Sequence, residues 1–249
     1  MKKQETYLNL CTQVYDLSKP HPPAAAYAFY RDYLVKANGP VLEPMCGSGR
    51  FLLPLLAEGF DVHGFDASEC MLAALSAKAR ARNLVPTVWN STIAESAGQG
   101  NYALIFIPSG SFSLITDLEA IASALTCLYQ HLRDDGVFVF EIDTLHALPP
   151  LSQWRGSAWH KADGDSILLS LCATLQDDIC RTVCKYELVH DHHIIDTEVE
   201  ELTIRMHHPD TLADILKRCG FRTVRLLKAF DFQLSPNDDD EAIVYECRK

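Results

Sequence analysis

Two short apolar runs in this chain each deliver chemistry at their C-terminal end. The first, Val41-Leu42-Glu43-Pro44-Met45-Cys46-Gly47-Ser48-Gly49-Arg50, closes in a glycine loop. The second, Val62-His63-Gly64-Phe65-Asp66, closes in a carboxylate 17 positions beyond Gly49. A glycine loop after a strand lets backbone N–H groups approach a ligand, and an acid at the tip of the next strand accepts hydrogen bonds from ribose hydroxyls. Singly, these marks would also fit a plain strand-to-helix turn and a helix N-cap. Together they constrain the chain to an open α/β sheet able to grip a nucleoside.

The rest of the chain keeps that rhythm to about residue 150. Residues 1–38 read as helical with a break at Lys19-Pro20-His21-Pro22-Pro23, and Asn38-Gly39-Pro40 is a helix-to-strand stop. A helix over 51–57 tolerates Pro54 in its first turn, and an Ala-rich helix from Ser68 to Asn83 takes Ser68 as N-cap. Strands follow at Thr87–Trp89, Tyr102–Ile107 and Val137–Ile142, with a helix from Leu118 to Leu132 ending before an Asp134-Asp135-Gly136 turn. Strands alternating with helices imply crossovers and a parallel sheet. Beyond 150 the pattern changes to three longer alternating segments, 166–174, 179–190 and 192–206, an antiparallel ribbon set into the α/β core. A helix over 209–219 closed by Gly220 and a final hairpin of 221–232 with 241–248 complete the reading.

Of 249 residues, 48% are hydrophobic and 22% charged, enough for one large domain with a full core. A formal net charge of −11 argues against a broad grip on nucleic acid, and Lys78, Arg80 and Arg82 read as a solvated helix face. No run reaches the ~18 apolar residues of a bilayer span, and Met1 to Tyr7 holds no apolar signal core. Nine scattered cysteines without CxxC pairs read as reduced thiols. A cytoplasmic chain with neither membrane nor nucleic-acid partner is expected. Cys180 and Cys184 have no second pair for zinc. His146, His160, His192, His193, His207 and His208 read as surface or turn residues, since adjacent histidines on a strand point to opposite faces. No metal is expected.

These residues resemble the small-molecule branch of the class I S-adenosylmethionine-dependent methyltransferases, over roughly residues 40–249. Glu43 to Arg50 is similar to that family's first motif, and Val62 to Leu72 to the run around its ribose-binding acid. Ile107-Pro108-Ser109-Gly110-Ser111-Phe112 resembles the loop after its fourth strand, Leu132 to Gly136 its turn before the fifth, and Cys219-Gly220-Phe221 the step before its closing hairpin. The resemblance implies a mostly parallel, seven-stranded Rossmann-like sheet binding S-adenosylmethionine. Glu43 would hold the methionine amino group, and Met45, Cys46, Gly47 and Gly49 would form the turn around methionine and ribose. Asp66 would bridge the ribose hydroxyls, Ala67 and Met71 would pack on the adenine, and Ser91, Thr92 and Pro108 would complete the site. Met45 stands where the family has glycine, and Asn90, Ser91 or Thr92 where it often has an acid facing the adenine amine.

Residues 1–40 are then expected to form a helical lid, in which Tyr7, Tyr15 and Tyr30 either cover the cofactor or pack a docking helix. Residues 41–249 form the methyltransferase domain, with the β insertion at about 151–206 capping the site or building a homodimer. Trp154 and Trp159 could wall the acceptor or anchor the ribbon. Catalytic candidates are few: Glu141 and Asp143 at the end of the fifth strand could orient an amine or act as base, and Tyr15 could cover the site. A sulfonium methyl is already activated, so alignment and desolvation carry most of the chemistry, and the expected acceptor is a small molecule, foremost an amine. The rivals are a nicotinamide-dependent dehydrogenase, disfavoured by Met45 where that fingerprint needs glycine, an RNA methyltransferase, and a methyltransferase-like module that binds without chemistry.

Overall fold

The computed structural model describes residues 6–95 and 101–249; the first five residues of the expected lid lie outside them. Two helices open the chain, α1 (Asn9–Ser18) and α2 (Ala24–Lys36), broken at the proline-rich step between them. There follow β1 (Val41–Pro44), α3 (Leu52–Ala57), β2 (Val62–Asp66), α4 (Glu69–Ala81), β3 (Thr87–Asn90) and β4 (Tyr102–Ile107). Next come α5 (Leu118–His131) and β5 (Leu132–Asp143), then β6 (Arg155–His160), β7 (Ser166–Gln176), β8 (Ile179–His190) and β9 (His193–Arg205). The chain ends with α6 (Pro209–Arg218), β10 (Thr223–Lys228) and β11 (Ala242–Arg248).

The main sheet has seven strands in the order β10-β11-β5-β4-β1-β2-β3, and only β11 runs against the rest. Buried on both faces, β4 and the Val137–Phe140 stretch of β5 are apolar throughout, as two-sided burial requires. Helices α2 and α3 cover one face, around Phe29, Leu52, Phe106 and Val139. Helices α5 and α6 cover the other, around Leu125, Phe138, Phe140 and Leu216. Local chemistry sets the boundaries: Ser68 caps α4 by accepting from Met71 N, Asp117 caps α5 by accepting from Ala120 N at 2.8 Å, and Pro209 opens α6 at its first turn.

Two expectations are corrected here. The turn foreseen before Val137 is a bulge inside β5. Tyr102 pairs with Leu132 and Leu104 with Val137, so residues 133–136 are looped out of a strand that starts straight from α5. Leu132 is completely buried and paired, which forces the strand to begin there. The ribbon has four strands rather than three, because β6 adds to β7 in an antiparallel sheet ordered β6-β7-β8-β9. That sheet is inserted between β5 and α6, and its inner face packs on α1 through Ile167, Cys184 and Tyr186 against Leu10 and Val14. No helix among the described residues is long and apolar enough to cross a membrane.

Candidate active site

The strand order reverses between β1 and β4, and an open α/β sheet leaves a crevice outside the carboxyl ends of its strands at such a point. A cavity of about 700 Å³ lies there, within the ~300–1,000 Å³ range of small-molecule sites. Its walls come from the tips of β1, β2, β3 and β5, the segment after β4, the N-terminal segment, and Leu202 and Ile204 of β9.

The glycine loop begins with a strained step. Met45 has φ of +58°, a left-handed conformation that costs a side-chain-bearing residue ~1–2 kcal/mol. Glycine would take it freely, and such strain concentrates at functional sites. Gly47 follows at φ +54°, and its N–H donates to Asp66 Oδ2 at 2.8 Å. Asp66 Oδ1 accepts from Ser68 N at 2.8 Å, so one carboxylate ties the loop to the start of α4. Burial raises the Asp66 pKa, and the N–H groups of Ser68, Gly47 and Ala67 hold it back. Asn90 donates its amide to Asp66 O and Ala67 O, each at 3.0 Å, supporting that turn from behind rather than facing the cavity.

One step along the sheet, Glu43 at the end of β1 is buried and its Oε2 has no hydrogen-bond partner. Burial, then the Asp66 charge, pushes its pKa well above the carboxylate range. A buried carboxyl oxygen left without a partner, two residues before the wall residue Met45, suits a cationic group. At the far end, Glu141 accepts from Ser109 N, and Asp143 lies in the cavity wall against the Ser109-Gly110 turn. A Cβ on Gly110 would fall 2.8 Å from Asp143 Oδ2, and both turn residues have left-handed φ. Burial raises Asp143, with Lys19 acting against it.

Burial lifts Glu141 from its ordinary 4.5 to about 7; the Ser109 N–H opposes the shift and the Asp143 charge adds to it. The folded state therefore holds that proton more tightly than the unfolded chain. The stability Glu141 contributes is whole below pH 4.5 and is lost as pH rises through 7. Glu141→Gln should gain stability relative to wild type across that window and hold a level difference above it. Thermal melts at stepped pH check this; a difference flat across the window would mean that the carboxyl is solvated.

Of the cofactor residues expected from sequence, Met45, Gly47, Asp66, Ala67, Met71, Ser91 and Thr92 share the cavity wall. Glu43, Cys46, Gly49 and Pro108 do not: Glu43 is buried at the end of β1, two residues before the wall begins at Met45. Cys46 is buried behind the loop, where a Cβ on Gly64 would fall 3.0 Å from its own. Gly49, at φ +80°, lets the loop close on Leu53 and Leu75, where a Cβ would fall 2.9 Å from each side chain. At Pro108 the chain is still buried, and Ser109, Gly110 and Ser111 reach the cavity instead. Tyr7 and Tyr15 line the cavity, whereas Tyr30 is core, its buried hydroxyl unpartnered.

Other readings are also corrected. Trp159 anchors the ribbon, Trp154 is exposed, and neither lines the cavity. Lys78 pairs with Asp16 of α1 at 2.7 Å instead of standing in a solvated strip. His207 packs on Phe112 with its Nε2 buried and unpartnered, and burial holds its pKa down to about 4. Sequence reading missed Lys19, Ile93, Leu202 and Ile204, all in the wall; the alternation of Leu202 and Ile204 was the one available signal.

A family model for a methyltransferase domain matches residues 41–136, the stretch that carries the loop, Asp66 and β4. Across the whole fold, an S-adenosylmethionine-dependent methyltransferase from Clostridium acetobutylicum ATCC 824 superposes with a TM-score of 0.78 at 18% identity, over 95% of this chain and 96% of that one. Residues 41–136 thus match a methyltransferase domain, and the whole chain has the fold of S-adenosylmethionine-dependent methyltransferases. The sugar N-methyltransferase KedS8 from Streptoalloteichus sp ATCC 53650 shares the fold at a TM-score of 0.74 and 16% identity, over 95% and 92% of the two chains. A protein of Geobacillus sp. (strain WCH70) that carries a provisional methyltransferase name is 26% identical over 113 residues, 45% of this chain. That match spans about half of the relative's length, 46%.

The site fits S-adenosylmethionine, the cofactor of the methyltransferases whose fold the chain shares. It has no lysine in the glycine loop to meet phosphates; the part-buried Asp66 and Asp143 line the cavity, and Glu43, with one buried oxygen unpartnered, stands two residues before the wall residue Met45, an acidic setting for a sulfonium and an ammonium.

Proposed function

We propose that this methyltransferase methylates the nitrogen of a small amine that enters between α1 and the β insertion. The observation that carries the reading is the spacing of carboxylates along one cavity. Asp66 and Asp143 stand at the tips of β2 and β5 with β1 and β4 between them, three strand spacings or roughly 14 Å apart. That leaves room for a nucleoside and amino-acid tail at one end and an acceptor at the other.

When bound, S-adenosylmethionine supplies a methyl group on a sulfonium already activated by its charge. Asp66 would take the ribose hydroxyls and Glu43 the methionine ammonium. Met71 and Ala67 would face the adenine, with Ser91 and Thr92 at its edge. Asp143 would orient the acceptor nitrogen and receive the proton that an ammonium must lose before its lone pair can attack. Tyr15, Leu202 and Ile204 would exclude water around that nitrogen. An amine also suits the acidic wall better than an anionic oxygen nucleophile, and the name of the structural relative KedS8 is consistent with it.

The test is turnover of S-adenosylmethionine to S-adenosylhomocysteine against a panel of small amines, alcohols and phenols. Turnover dependent on amines alone is the expected result. Binding of the cofactor with no acceptor-dependent turnover would favour a cofactor-holding module instead.

A further inference from the structure

The N-terminal helix that covers the cavity does not cap itself. Leu8 stands at the N-cap of α1 with no side-chain hydrogen bond, and the first turn holds no acidic residue. The first N–H groups of a helix need acceptors from elsewhere. Here they come from the β insertion, about 190 residues on. Glu200 accepts from Tyr7 N at 2.8 Å and Leu8 N at 2.7 Å, and Glu198 accepts from Leu10 N at 2.6 Å. Glu200 is buried against α1, and carboxylates at a helix N-terminus gain from its macrodipole.

We infer that Glu198 and Glu200 are positioning residues for the cofactor cavity, acting through α1 as a cap supplied by the insertion. Strand alternation puts both on the face of β9 that carries Leu202 and Ile204. One strand thus holds the start of α1 at one end and walls the cavity at the other. The helix is also fastened to the cofactor loop. Tyr7 O accepts from Ser68 Oγ at 2.8 Å, Ser48 Oγ donates to Asp16 at 2.6 Å, and Lys78 pairs with Asp16 at 2.7 Å. Tyr7, Tyr15 and Lys19, which this segment brings to the cavity, therefore take their places only when the insertion holds the helix start. The inference rests on the cavity being the cofactor site.

The test uses the full chain with Glu200→Ala, Glu200→Asp and Glu198→Gln. It reads S-adenosylhomocysteine affinity by calorimetry and amide hydrogen exchange across α1 and α5. Loss of a cap of this kind should weaken binding about 3- to 30-fold in Glu200→Ala. Exchange should quicken in α1 with α5 unchanged, and Glu200→Asp should recover part of the affinity. Should Glu200→Ala fail to fold, Glu198→Gln, which neutralises the carboxylate at a single bond, carries the same expectation at smaller size. Quickened exchange in α1 with affinity unchanged would reduce the carboxylates to a structural cap and overturn the inference, as would unchanged exchange. Failure of the wild-type chain to bind S-adenosylhomocysteine would remove the cofactor reading itself, and the inference with it.

Discussion

Asp66→Ala should lower the affinity for S-adenosylhomocysteine, read by calorimetry, by ~1.5–3 kcal/mol, or about 10- to 150-fold. Two losses combine. The carboxylate is the proposed acceptor for the ribose hydroxyls, and it also accepts from Gly47 N and Ser68 N. Removing it frees the glycine loop from the start of α4 and leaves two N–H donors to find water. The loop is poorly placed to absorb this, because Met45 already holds a left-handed backbone that only its surroundings maintain. Asp66→Asn keeps an oxygen for one of those donors and should lose less. Affinity unchanged in the alanine variant would mean that the ribose lies elsewhere in the crevice.

The sheet was legible because its signals are local. Continuous apolar runs marked β4 and the core of β5, Ser68 marked the start of α4, and Gly220, at φ +109° against the Tyr129 ring, marked the end of α6. The bulge at residues 133–136 escaped because Arg133-Asp134-Asp135-Gly136 reads as a turn, whereas a buried pairing of Leu132 with Tyr102 decides the strand. Strand β6 escaped because its side chains are mostly exposed and show no alternation; its backbone pairing with β7 makes it a strand. In the site, the residues before and after each strand tip were visible as motifs. Cys46 and Gly49 belong to those motifs yet serve packing, since a loop that brings one face to a ligand must bury the other. Lys19, Leu202 and Ile204 reach the cavity through contacts between distant segments, which no spacing along the chain records.

The variant Asp143→Asn separates the chemistry from the binding. If Asp143 orients the acceptor and takes its proton, kcat should fall ~100-fold or more, the usual scale for a positioned acid or base. Affinity for S-adenosylhomocysteine should stay unchanged, because the proposed cofactor residues lie toward β1 and β2. The asparagine keeps the shape that meets the Gly110 turn, so the fold should survive, and a melt checks that. The split between constants is the informative part. A rise in KM with kcat intact would mean that Asp143 holds the amine equally in ground and transition states and takes no part in the transfer. A fall in kcat that disappears as pH is raised would locate the missing step in deprotonating the ammonium, since solvent can then remove the proton that the carboxylate no longer accepts. Asp143 stands in the wall of the cavity while Glu141, two residues earlier, turns its carboxylate to the Ser109 N–H. Of the two acids only Asp143 lines the cavity, which is why the proposed acceptor role falls to it, while Glu141 fixes the turn that presses against it.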